Sequence, residues 1–147
     1  MKYPIGIQDF QKIIEDGYVY VDKTDLVYKL ANEGHIYFLC RPRRFGKSLL
    51  ISTLKYYFQG RKDLFRGLAI DKLEKEWAEY PVFHLSFANG NYTEGKALKQ
   101  ILEDYIAEME TEYGNNPHAN TISGRFASVL KAAHKKTGRR AVVLIDE

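Results

Sequence analysis

The sequence predicts an α/β protein built around a mostly parallel sheet. Three observations carry that prediction. Segments of strand character alternate with segments of helical period. Two strand segments, His35–Cys40 and Ala141–Ile145, are almost continuously apolar, as strands covered on both faces of a parallel sheet are. The chain has 147 residues, the size of one domain with a core of its own.

The elements follow in order. Phe10, Ile13 and Ile14 mark a short first helix, and Gly17 stands where a left-handed cap would end it. Tyr18 to Val21 is a short β-rich run. Thr24 is placed to cap a helix whose apolar residues are Leu26, Val27 and Leu30, with Gly34 at its end. His35–Cys40 is the first core strand. A basic loop leads into a helix from about Gly46 to Phe58, apolar around much of its circumference and so expected to be largely buried. Asp71 to Ala78 suggests a further short helix, and Pro81 to Phe87 a second strand. Leu98, Ile101, Leu102, Tyr105, Met109 and Tyr113 recur at steps of three and four, a strong amphipathic helix ended by Gly114. Ile122, Phe126, Val129, Leu130 and Ala133 mark another. Ala141–Ile145 is the last strand, and Asp146 and Glu147 follow it.

Composition narrows the class. The chain is 45% apolar and 28% charged, which is globular rather than disordered, collagenous or coiled-coil. Lys and Arg number 22 and Asp and Glu 19, a formal charge of +3, too small to imply nucleic acid by itself. The single cysteine, Cys40, excludes an internal disulfide and a multi-cysteine metal site. No apolar run approaches the ~20 residues of a membrane span, and MKYPIGIQDF lacks the apolar stretch of a signal peptide. The expectation is a soluble cytoplasmic protein.

The most informative segment is Arg41-Pro42-Arg43-Arg44-Phe45-Gly46-Lys47-Ser48. Its last three residues match the phosphate-loop pattern GxxxxGK(S/T), and Arg41 stands where the first glycine would be. Such a loop wraps a phosphate with backbone N–H groups, reaches it with a lysine and holds Mg²⁺ with a hydroxyl. The helix that follows adds the positive end of its dipole. Arg43, Arg44, Phe45, Gly46, Lys47, Ser48 and Leu49 are therefore the candidate nucleotide-binding residues. A second reading is a basic strand-to-helix turn with no ligand.

An ATP-hydrolysing site also needs a carboxylate near Mg²⁺ and a group that orients water. A buried strand ending in acids supplies them at the carboxyl edge of a sheet, where ligands of open α/β sheets bind. Asp146 is assigned to the Mg²⁺ shell beside Ser48, and Glu147 with Lys47 to catalysis. The Asp-Glu pair, with no Asn-Lys-x-Asp motif for guanine, favours ATP over GTP.

On these residues the chain resembles the AAA-ATPase-like family of bacterial P-loop domains. The matching strings are Gly6-Ile7-Gln8-Asp9-Phe10, Tyr20-Val21-Asp22-Lys23-Thr24, Arg41 to Leu49, and Leu144-Ile145-Asp146-Glu147. Arg41 in place of glycine is the family's own variation. The resemblance implies a three-layer AAA/RecA-like P-loop fold with Walker A and Walker B motifs, and ATP and Mg²⁺ as cofactors. It implies lead-in helices and a short strand over residues 1–34, then a core through Walker B over 35–147. It also implies a partner: in the family the domain commonly precedes a PD-(D/E)XK nuclease-like domain, so a nuclease-like domain or nucleic acid is the expected associate in the full-length protein. The family's domain continues past the acid pair into a sensor strand, so the fold is expected to be incomplete at its C-terminus. A free carboxylate at Glu147 would disfavour a triphosphate, and an unpaired sheet edge would invite self-association. Two functions follow: an ATPase module, or a non-hydrolysing nucleotide switch or protein-interaction module with a degenerate loop.

Other features have simpler readings. Asp22-Lys23-Thr24 reads as a helix cap before a base or ribose contact. Lys131, His134, Lys135, Lys136, Arg139 and Arg140 read as cations at a helix C-terminus before a nucleic-acid face. His35, His84, His118 and His134 are dispersed, which disfavours zinc. Cys40 reads as a small core residue.

Overall fold

The computed structural model describes residues 1–87 and 95–146. They fall into two compact units, Met1–Glu79 and Tyr80–Glu147.

The first unit is helical. It contains α1 (Phe10–Glu15), α2 (Thr24–Glu33), α3 (Lys47–Phe58), a 3₁₀ turn (Lys62–Phe65) and α4 (Ala69–Leu73). Asp9 begins α1 by accepting from the Lys12 amide at 3.0 Å, and Gly17 follows it with φ +68°, the left-handed residue its sequence position asks for. Phe10, Ile13, Val27, Leu54, Leu64, Phe65 and Ile70 are buried together with Tyr56 and Tyr57. Phe10 stacks on Phe65 at 4.7 Å between ring centres and meets Tyr20 edge-on at 5.2 Å. Helix α3 buries Ser52, Thr53, Leu54, Tyr56 and Tyr57, as its broad apolar circumference predicts.

The second unit is α/β: β1 (Val82–Ser86), α5 (Gly95–Tyr113), α6 (Ile122–Thr137) and β2 (Val142–Asp146). The strands pair in parallel, from Val82 beside Val142 to Ser86 beside Asp146. A parallel pair needs a long crossover, and α5 and α6 lie within it. Phe83, Leu85, Met109, Val129 and Ala133 form its buried core. Thr121 starts α6 by accepting from the Gly124 amide at 3.0 Å, and Gly138, at φ +70°, ends it. Arg125 on α6 grips Glu110 on α5 with two bonds, at 3.0 and 2.8 Å. Among the described residues no helix is long and apolar enough to cross a membrane.

Three local expectations change. His35–Cys40 is not a strand: it is irregular, and Ile36 and Phe38 are 94% and 93% exposed. A strand exists only by pairing, and the sheet among the described residues joins β1 to β2 alone. Cys40 is accordingly exposed rather than in the core. The short helix expected at Asp71 to Ala78 lies earlier, at Ala69–Leu73. Near Tyr18 to Val21 the only pairing among the described residues is a single bridge from Tyr18 to Lys2.

Candidate functional site

The loop Arg41 to Gly46 is irregular and exposed, and α3 begins immediately after it at Lys47. Two of its residues have left-handed backbone, Arg44 at φ +67° and Gly46 at φ +75°. Glycine adopts that conformation at little cost, whereas arginine does so against its Cβ. Gly46 caps α3, and its carbonyl accepts the Leu50 amide at 3.0 Å. Lys47, Ser48 and Leu49 are half-buried in the first turn. That turn presents its amides and the positive dipole end toward the loop.

This helix end differs from the starts of α1 and α6. Those are closed by the side chains of Asp9 and Thr121. The start of α3 has no side-chain cap bond and no acid in its first turn. Arg41, Arg43, Arg44 and Lys47 surround it in sequence. The charged residues of the loop and the first turn are all basic, and an anion is the chemical complement of a helix start.

Asp146 ends β2, half-buried, and its carbonyl accepts the Phe87 amide at 2.8 Å. Arg43 to Leu49 are thus one continuous turn of the first unit, Asp146 belongs to the second unit, and Glu147 lies outside the described residues. An open groove of about 700 Å³ lies in the second unit over Leu85, Leu102, Ile106 and Phe126. None of the loop residues lines it.

The Asp22-Lys23-Thr24 string has a structural role. Asp22 Oδ1 accepts from the Thr24 amide at 2.9 Å and from its hydroxyl at 2.6 Å. Asp22 Oδ2 accepts from the Ala69 amide at 2.7 Å, and Thr24 Oγ1 from the Ile70 amide at 3.0 Å. The two side chains therefore cap α4 as well as the start of α2. Burial alone would raise the Asp22 carboxyl, but bonds from Thr24 and Ala69 outweigh it and hold the group below its ordinary range.

The basic run also has partners. Lys136 donates to the Glu112 carbonyl at 3.0 Å, near the end of α5, and lies over the Tyr113 ring. Arg139 lies over Tyr80. These contacts fit the helix-end reading.

Sequence reasoning passed over Asp9, Ser52 and Tyr56. Tyr56 donates to Asp9 Oδ1 at 2.8 Å, and Ser52 Oγ accepts the Phe10 amide at 3.0 Å. The available signal was Ser52 and Tyr56 themselves, polar groups on a helix expected to be largely buried.

With this geometry in view, the comparisons with known proteins decide the family. The family model described as "Predicted AAA-ATPase" matches residues 4–147. The chain belongs to the AAA-ATPase-like family. A relative from Azotobacter chroococcum mcd 1, named "Uncharacterized protein in vnfD 5'region", is 40% identical over 148 residues. The match covers 99% of this AAA-ATPase-like chain and 28% of the relative, so the chain spans little more than a quarter of that protein's length. No solved structure matches the chain.

Proposed function

We propose that this chain is an ATP-binding P-loop domain, the Mg²⁺-dependent ATPase module of a longer protein. Lys47 would contact the β and γ phosphates, with the backbone from Arg43 to Leu49 wrapped around them. Ser48 would supply a hydroxyl to Mg²⁺, Asp146 would support the metal, and Glu147 would orient the attacking water. A hydroxyl with a carboxylate suits Mg²⁺, which keeps waters and substrate phosphates as its other ligands. The output would pass to a partner region such as a nuclease-like domain.

The observation that carries the reading is the start of α3, with no side-chain cap bond and no acid in its first turn, behind a left-handed Gly46. Family membership supports it.

Thermal unfolding of wild type and Lys47→Ala, with and without Mg–ATP, tests it. Ligand at ~100 times its dissociation constant stabilises a fold by about 2.7 kcal/mol, a midpoint rise of several degrees. The rise should appear in wild type and vanish in Lys47→Ala. No rise in either would overturn ATP binding by this chain.

A further inference from the structure

We infer that Asp9, Ser52 and Tyr56 are positioning residues that brace the phosphate-loop helix against the N-terminal segment. Ser48, Ser52 and Tyr56 are spaced by four along α3, so they form one row on its surface. The two later members of that row are held by residues 8–10. The Phe10 amide donates to Ser52 Oγ at 3.0 Å. The Ser52 hydroxyl has one proton and two carbonyls within reach, Gln8 at 3.1 Å and Leu49 at 2.9 Å. One turn later, Tyr56 donates to Asp9 Oδ1 at 2.8 Å. Asp9 uses its other oxygen to cap α1, and the fully buried Phe10 anchors the segment by stacking on Phe65.

The brace is built to hold position. Ser52 and Tyr56 are 7% and 8% exposed, so water competes poorly for their bonds. Burial and the neighbouring Asp9 push the Tyr56 phenol up to about 12; a tyrosine keeps its proton in the neutral range even at its ordinary value, so the bond stays donated there. Ser52 lies one turn, about 6 Å, along the axis from Ser48. Phosphate binding by a helix N-terminus depends on where that terminus sits, and a small misplacement is costly. The inference rests on the proposed reading of Lys47 and Ser48. It also gives the Gly6-to-Phe10 signature a physical role, which is to fix the axial position of α3.

Two measurements on wild type, Tyr56→Phe and Asp9→Ala test it. The first is amide hydrogen exchange without nucleotide, followed at Leu50 to Leu54 in α3, with α2 amides reporting unfolding of the first unit as a whole. The second is titration with Mg–ATP well below the melting temperature. Tyr56→Phe removes only the hydroxyl. It should speed exchange in α3 about tenfold, leave α2 unchanged, and weaken Mg–ATP binding by a similar factor. Asp9→Ala removes the acceptor of the Tyr56 bond and should speed α3 exchange at least as much. Unchanged α3 exchange in Tyr56→Phe would overturn the brace, as would unchanged α3 exchange in Asp9→Ala. So would unaltered affinity in Tyr56→Phe when wild type binds. If wild type does not bind Mg–ATP, the nucleotide reading fails and the exchange data alone decide the brace.

Discussion

Asp22 shows how one carboxylate can serve two helices. One oxygen takes both donors of Thr24, and the other takes the Ala69 amide at the start of α4. Asp22→Ala should therefore cost about 1–2 kcal/mol, the upper part of the range for a lost cap, and lower the melting midpoint by several degrees. The pH dependence follows from the direction of the shift. A carboxyl held below its ordinary range contributes stability above the unfolded-state value, here 3.8, and loses it as pH falls through the lower folded value. The gap between wild type and Asp22→Ala melts should be full at neutral pH and shrink in strong acid. A gap independent of pH would show that the ionised carboxylate is not what stabilises. The sequence points to Thr24 as the cap of this turn. The structure gives that bond to Asp22 and sends the Thr24 hydroxyl to Ile70. A helix starting at 24 is legible in the chain, but the partner of a short polar side chain is not, because α4 lies some 45 residues away.

At the scale of elements, legibility follows how local each element's cause is. Helices α5 and α6 carry long apolar periods with a break at Gly114 and a stop at Gly138, and they form where expected. β1 and β2 are apolar runs that find each other in parallel register. His35–Cys40 has the same composition and is no strand, since composition gives strand propensity while pairing is decided by tertiary neighbours. The turn Arg43 to Leu49 was legible because its chemistry is contiguous; the Asp9, Ser52 and Tyr56 contacts were not, because they join residues more than forty apart. The pairing of α5 with α6 yields its own prediction. The hydrogen-bonded Arg125 guanidinium, on the other helix, holds the Glu110 carboxyl below its ordinary range. Its stabilisation is therefore present above about pH 4.5 and lost as pH falls through the folded value. Glu110→Gln should lower the midpoint at pH 7, more at low than at high salt, with an effect that shrinks as acid protonates the carboxyl. Melts of wild type and variant from neutral pH into acid check it; an equal effect at both ends would assign the loss to packing instead of charge.

For the whole molecule, the telling feature is where apolar surface remains. Ile36, Tyr37, Phe38 and Leu39 are 94%, 52%, 93% and 45% exposed. A single exposed apolar residue is ordinary, but four in succession form the kind of patch that proteins keep for a partner. They also lead directly into Arg41 and the proposed phosphate loop. These facts converge if nucleotide, by ordering the loop, also orders the run before it. Chymotrypsin reads that coupling, because it cuts after Tyr37 and Phe38 when they are accessible. The chain without nucleotide should be cut quickly there. Mg–ATP at ~100 times its dissociation constant should slow the cut by up to about a hundredfold, the factor by which the nucleotide-free population falls. Lys47→Ala should be cut quickly under both conditions. Rapid cutting of a wild type that is saturated with Mg–ATP would show that the run stays exposed in the bound state and belongs to another partner. Slow cutting without nucleotide would mean that the run is already paired.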